Sequence, residues 1–118
     1  MLGSTERNGS DAVSGFPDCV NKLVTAVRDA IGQPNLPVLL SDYEMGATGV
    51  YDPKGEFGTK IIPAVAKLPG LISNSALVPT DGVAMQDDHH FNLQGHMLWT
   101  QRLLDIMKAR GWAPWLVK

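Results

Sequence analysis

The sequence predicts an α/β fold with a parallel sheet, and three observations carry that reading. Val20, Leu23, Val24, Val27 and Ile31 recur at three- and four-residue spacing, which lays one apolar stripe along a helix of about four turns. Within a few residues comes Leu36-Pro37-Val38-Leu39-Leu40, a short unbroken apolar run ending at Ser41-Asp42, as expected of a strand buried on both faces. A second such run, Ser75-Ala76-Leu77-Val78-Pro79, follows another helical stretch, and strands alternating with helices build parallel sheets.

Taken in order, residues 1–15 are rich in Gly, Ser, Asn and charge without sustained periodicity, so they read as loop. The first helix starts at Phe16; Gly32 stops it and Pro34 confirms the stop. Residues 42–58 form a long polar, glycine-rich connection at the carboxyl end of the first strand. Open α/β sheets bind ligands at that edge, which makes Asp42, Tyr43 and Glu44 candidate pocket residues, with Asp42 and Tyr43 the substrate-binding pair. Thr59 is placed to cap a short helix through Ile61, Ile62, Val65 and Ala66, in which Pro63 is tolerated only within the first turn, and Pro69-Gly70 closes the segment. Asn92 is a good N-cap for a last helix from Leu93 to about Ala109, with Leu93, Met97, Leu103, Leu104, Ile106 and Met107 on its buried side and Gly111 at its end.

Bulk properties narrow the function. A chain of 118 residues supports a single folding unit, and 44% hydrophobic with 19% charged residues is a globular composition. A net charge of -2 gives no electrostatic reason to expect nucleic acid. No apolar run approaches the roughly 20 residues that span a bilayer, so no membrane partner is expected. The first residues, Met1-Leu2-Gly3-Ser4-Thr5-Glu6-Arg7, lack the apolar stretch of a signal peptide. The lone Cys19, at the start of the first helical pattern, reads as a buried small hydrophobe.

Chemistry concentrates in Asp87-Asp88-His89-His90-Phe91-Asn92, at the entrance to the last helix. A carboxylate three residues ahead of a histidine can accept its Nδ1–H and leave Nε2 to take a proton, which is half of a hydrolytic triad. No serine on a recognisable strand-to-helix turn supplies the other half. His96 falls six residues past His90, and its spacing from His89, His90 and Asp87 is not a usual zinc pattern, so no metal and no cofactor is expected. Trp112 and Trp115 suit either a sugar-stacking platform or a cover for the sheet edge, and the cover is the simpler reading.

These residues resemble the carboxyl-terminal half of the SGNH-hydrolase esterases of the sialate O-acetylesterase and acetylxylan-esterase type, the SASA domain. The stretch Leu23 to Gly32 followed by Leu36-Pro37-Val38 is similar to the family's helix, with its arginine, and the "LPV" strand after it. Asn74 to Thr80 is similar to the strand before the catalytic loop, and Asp87 through Asn92 and then Gly95 match the family's D-x-x-H-F/L-N…G pattern. The resemblance covers roughly residues 16–110, with residues 1–15 a loop or the remnant of an upstream block and residues 16–118 the carboxyl-terminal part of the domain.

The resemblance implies a partial three-layer α/β/α fold of SGNH, flavodoxin-like type, with its amino-terminal half missing. It implies a hydrolase of acetylated carbohydrate in which His90 is the catalytic histidine and Asp87 its orienter. Gly3-Ser4 or Gly9-Ser10-Asp11-Ala12 would then be what is left of the family's Q-G-E-S-D-A block, without its glutamine. The family's nucleophile motif, G-Q-S-N, is absent; Gly32-Gln33-Pro34-Asn35 has proline where the serine must stand. The expectation is therefore a fragment inactive alone, which awaits its amino-terminal half or self-associates. Two alternatives stand beside it: a non-catalytic ligand-binding or self-associating module, and a small metal-binding domain that would need Asp87, His90 and His96 to converge.

Overall fold

The computed structural model, which describes residues 10–42, 60–87 and 90–114, makes neighbouring strands of the two apolar runs. The elements are α1 (Ser10–Ile31), β1 (Val38–Ser41), α2 (Ile62–Leu71), β2 (Ser75–Val78) and α3 (Leu93–Ala109). The two strands form a parallel sheet in the register Val38 to Ser75 through Ser41 to Val78, so the chain is a mixed α/β protein.

Helix α1 begins at Ser10, not Phe16, and absorbs part of the segment expected to be loop. Its Gly, Ser, Asn and charge content without periodicity reads as loop, and Pro17 just beyond it sits inside the helix, where a proline costs about 3 kcal/mol. Phe16 and Val20, however, are 3% and 4% exposed, and burying two such side chains returns about 1.5–3 kcal/mol each. Packing therefore outweighs propensity. The helix ends as its glycine requires: Gly32 takes φ +66°, its N–H donates to Asp29 O at 3.2 Å, and Gln33 N–H donates to Arg28 O at 3.0 Å, the paired bonds of a Schellman motif.

The apolar stripe of α1 is only partly covered. Phe16 and Val20 enter the core with Val24 against them, whereas Leu23, Val27 and Ile31 are 48%, 45% and 50% exposed. Cys19 is exposed too, contrary to its reading as a core residue, because it shares the outward face with the Asp18–Lys22 ion pair. The core itself joins Phe16 and Val20 to Ile61, Val65, Leu68 and Ile72, the inner edge of α2 and its flanks. Pro63 occupies the first turn of α2 as required, but the helix runs on through Pro69 and Gly70 to Leu71 and closes with Ile72 N–H on Leu68 O at 2.8 Å.

Strand β1 is half-buried along its length instead of buried on both faces. Side chains alternate in a strand, and here Leu40, in register with Leu77, packs against the α1/α2 core. Leu39 and Ser41 look to the other face, where they border an open groove with α3. Among the described residues β1 pairs only with β2, so one of its edges has no strand beside it.

Side chains clamp both ends of this small sheet. At the amino ends, Arg28 is 8% exposed and donates to Leu36 O through Nε (3.1 Å) and Nη2 (2.7 Å), to Ser73 O through Nη2 (2.7 Å) and to Ser73 Oγ through Nη1 (3.4 Å). Asn74, the described non-glycine residue with positive φ (54°), donates through Nδ2 to Asn35 O at 2.6 Å. At the carboxyl ends, Asp42 Oδ1 accepts the N–H of fully buried Thr80 at 2.8 Å and also its hydroxyl.

Arg28 should therefore be a structural residue whose geometry matters more than its charge. Arg28→Ala is expected to cost about 3 kcal/mol by stranding two partly buried carbonyls, and Arg28→Lys to recover little of it, because one ammonium does not reproduce the fork. Urea unfolding of the two variants checks this; a lysine variant as stable as the parent would show that charge alone suffices.

Candidate functional site

The site is built on a loop held at its base. After β2, Thr80 O accepts from Val83 N–H at 3.2 Å, and the chain then forms a narrow antiparallel bridge between Met85 and Phe91. Gln86 N–H donates to His90 O at 2.8 Å, and Asn92 N–H donates to Ala84 O at 3.0 Å. Residues 87 and 90 thus sit at the tip of a hairpin-like loop whose two legs are bonded together.

Within that loop Asp87 and His90 meet as their spacing predicts. Asp87 Oδ1 accepts the His90 backbone N–H at 2.8 Å, and His90 Nδ1 lies 2.9 Å from Asp87 Oδ1 and 2.8 Å from Oδ2. One carboxylate therefore fixes both the backbone and the ring of the histidine. An Nδ1–H donated to a carboxylate selects the tautomer with its lone pair on Nε2, the arrangement a general base uses. Both side chains are well exposed, His90 at 70% and Asp87 at 47%, so water weakens the Coulombic part of the pairing and geometry is its main content.

The rest of the motif seats the loop on α3. Asn92 caps the helix, its Oδ1 accepting Gly95 N–H at 2.9 Å. Gly95 then lies so close to the preceding strand-like leg that a Cβ there would stand 2.1 Å from Ala84 O and 2.9 Å from Val83 Cγ1. The helix ends in a second Schellman motif, with Gly111 N–H on Lys108 O at 3.1 Å and Trp112 N–H on Met107 O at 2.9 Å. Arg102 holds its middle to the end of β2, donating through Nη1 to Pro79 O at 2.9 Å and Asp81 O at 2.8 Å.

A groove of about 480 Å³ opens between the sheet and α3, lined by Leu39, Ser41, His90, Phe91, His96, Trp99 and Leu103. Its walls are mainly apolar, and its polar groups are the two histidines, the serine and the indole of Trp99. His96 stands edge-on to Phe91, with ring centres 5.4 Å apart and planes at 70°. Trp99 Nε1 is buried without a hydrogen-bond partner. Phe91, His96 and Trp99 were not expected here; the period of α3 places positions 96, 99 and 103 on one side, a signal the sequence contains once the groove is known to lie beside it.

The other expectations fare unevenly. Asp42 is tied to Thr80 at the strand ends, and Ser41, one residue earlier, is the one that borders the groove. Tyr43 and Glu44, the Thr59 cap, Asp88, His89, Gly3-Ser4 and Trp115 lie outside the described residues. Ser10, Asp11 and Ala12 open α1. Leu93 and Met97, expected on the buried side of α3, are 72% and 64% exposed, because the first turns of the helix meet the protein through buried Gly95, while Leu103, Leu104, Ile106 and Met107 are half-buried. Trp112 donates through Nε1 to Asn74 Oδ1 at 3.1 Å beneath the Arg110 guanidinium, and so braces the entrance to β2. No group of three or more His, Cys, Asp or Glu able to hold a metal occurs among the described residues.

Comparison with known proteins returns no match from family models, from curated proteins or from solved structures.

The seat of α3 gives a direct test. Gly95→Ala must drive helix and loop apart, and should cost about 3 kcal/mol while perturbing the His90 ring environment more than that of Trp112. Chemical denaturation and heteronuclear NMR of the histidine side chains measure both; an alanine variant with unchanged stability and His90 resonances would show that the close approach is not a constraint.

Proposed function

We propose that this chain is the carboxyl-terminal portion of a carbohydrate O-acetylesterase of the SGNH type, supplying the histidine and aspartate of a serine hydrolase. The observation that carries the reading is the Asp87 carboxylate on His90 Nδ1 at 2.8–2.9 Å, on a loop beyond the carboxyl end of a parallel strand. Two further features support it. The match of Asp87, His90, Phe91, Asn92 and Gly95 to the family's motif has a physical basis in one folded unit, since each residue fixes the next. Leu40 looks to α1 and α2 while Leu39 and Ser41 look toward α3, as strands do between the outer layers of a three-layer α/β/α sheet.

In the proposed reaction a serine from the amino-terminal half attacks the carbonyl carbon of the acetyl ester. His90 Nε2 takes the serine proton and then gives it to the departing sugar oxygen, while Asp87 holds the ring and stabilises the imidazolium formed. Water repeats the sequence on the acetyl-enzyme. The oxyanion donors come with the amino-terminal half, and the steps require no metal or cofactor.

A second reading, a self-associating module without catalysis, is favoured by one observation: Leu23, Val27 and Ile31 present an apolar row near half exposure. Sedimentation separates the two readings. A module of this kind forms the same assembly with or without an added amino-terminal half, whereas the esterase portion takes that half up.

Mixing the chain with a family-type amino-terminal half should yield hydrolysis of acetylated xylan or an aryl acetate. His90→Ala should abolish turnover, Asp87→Asn should slow it about a hundredfold, and His89→Ala should leave it unchanged. Turnover that survives the loss of His90 removes the proposal.

A further inference from the structure

We infer that the uncovered face of α1 is a self-interface at which two copies of the chain join helix to helix, antiparallel about a two-fold axis. The inference goes beyond the esterase reading and does not require it. It gives the half-exposed row of α1 a partner, a direction and a register.

Spacing is the first argument. Cys19, Leu23, Ala26 and Ala30 recur at alternating four- and three-residue steps, the repeat by which one helix seats against another, and all four are exposed. Val27 and Ile31, 45% and 50% exposed, widen this seam on the side nearer the core. Phe16 and Val20 carry the earlier part of the stripe into the α2 core, so the uncovered part runs toward the carboxyl end of the helix. An antiparallel pair centred between Leu23 and Ala26 sets each Leu23 against Ala26 of the other copy and each Cys19 against its Ala30. A large side chain opposite a small one at each layer lets the two helices close to about 8–10 Å between axes.

Charge is the second argument, and it chooses the partner and the direction. Lys22 and Asp29, about two turns apart, lie together on the flank of the seam turned from the core. Lys22 bonds Asp18 of its own helix at 2.7 Å, whereas Asp29 is exposed and makes no ion pair among the described residues. When two copies meet antiparallel, like flanks face each other, and Lys22 of each comes beside Asp29 of the other, twice by symmetry. A parallel pair would turn this flank toward the one that carries Val24 and buried Arg28, which already belongs to the interior. Only the antiparallel pair therefore gives Asp29 a cation. One helix pair buries less than the roughly 1,600 Å² of a standard interface, so the dimer should be weak, with a dissociation constant on the order of 10–100 μM.

The test is sedimentation of the whole chain over about a hundredfold range of concentration. The expected result is a reversible monomer–dimer equilibrium that Leu23→Glu weakens about tenfold or more and Lys22→Glu about threefold. The double variant Lys22→Glu/Asp29→Lys should recover the affinity that Lys22→Glu loses. Thermal unfolding checks that each variant is folded, and the charge swap, at exposed positions, decides the matter if Leu23→Glu does not fold. Register is read by oxidation: Ala30→Cys should give a dimer linked from Cys19 to the introduced thiol of the other copy. The parent should stay unlinked, since its two Cys19 residues stand about 16 Å apart along the paired helices.

A monomer at every concentration, a dimer indifferent to Leu23→Glu, a charge swap that recovers nothing, or a Cys19 to Cys19 link in the parent each overturns the inference. If an amino-terminal half restores turnover and dissolves the dimer by covering Leu23, the proposed function stands and this inference falls. A dimer with the expected charge dependence, alongside a failure to reconstitute turnover, does the reverse.

Discussion

The contact of Gly95 with the Ala84 carbonyl decides where everything after β2 can lie. It allows the first turn of α3 to press against the leg of the loop, and Asn92 closes the remaining gap by capping the helix through the same glycine's N–H. The bridge between Met85 and Phe91 then closes the base of the loop that carries Asp87 and His90. A motif that reads as scattered letters is thus a chain of steric and hydrogen-bond dependencies, each of which locates the next residue.

A parallel sheet of two short strands is a weak object, since parallel pairing is slightly less stable than antiparallel and each strand here has four residues. This one is held by side chains acting across the strand ends. Arg28 spans Leu36 and Ser73, and Asp42 spans to Thr80, so both ends of the β1/β2 pair are closed by groups outside the ladder. Burying the Arg28 guanidinium is tolerable because its donors meet carbonyls that would otherwise be under-bonded in a partly buried place. The same arrangement ties the carboxyl end of α1 to the sheet.

What could be read from the residues follows from how local the deciding physics is. The helix from Leu93 to Ala109, its Asn92 cap and its Gly111 stop are local signals, and so is the meeting of Asp87 and His90 across three residues; all of these stand in the structure. The start of α1 was not local: Gly15 and Pro17 argue against a helix, and only the burial of Phe16 and Val20 against α2 reverses them. Likewise, no periodicity separates the covered Val24 from the half-exposed Leu23 and Val27, because that depends on which elements lie alongside. Asp42 was legible as special but not as to purpose, since its partner Thr80 lies on the far side of a helix in sequence. The groove could not be read at all, as its lining comes from β1, the loop and α3.

Asn74 shows how narrow a position can become when one residue answers to several demands. Its backbone sits at φ 54°, its amide nitrogen serves Asn35 O, and its amide oxygen serves the Trp112 indole. Glycine would satisfy the dihedral and neither bond. Aspartate tolerates the dihedral and would keep the acceptor, but it would set a negative charge against a carbonyl oxygen. Alanine or serine would meet still fewer of the conditions. Position 74 therefore has close to a one-letter vocabulary, and its information content rivals that of the histidine loop although it touches no ligand. Invariance at such a joint would record how the chain enters β2, and would be a poor guide to where its chemistry takes place.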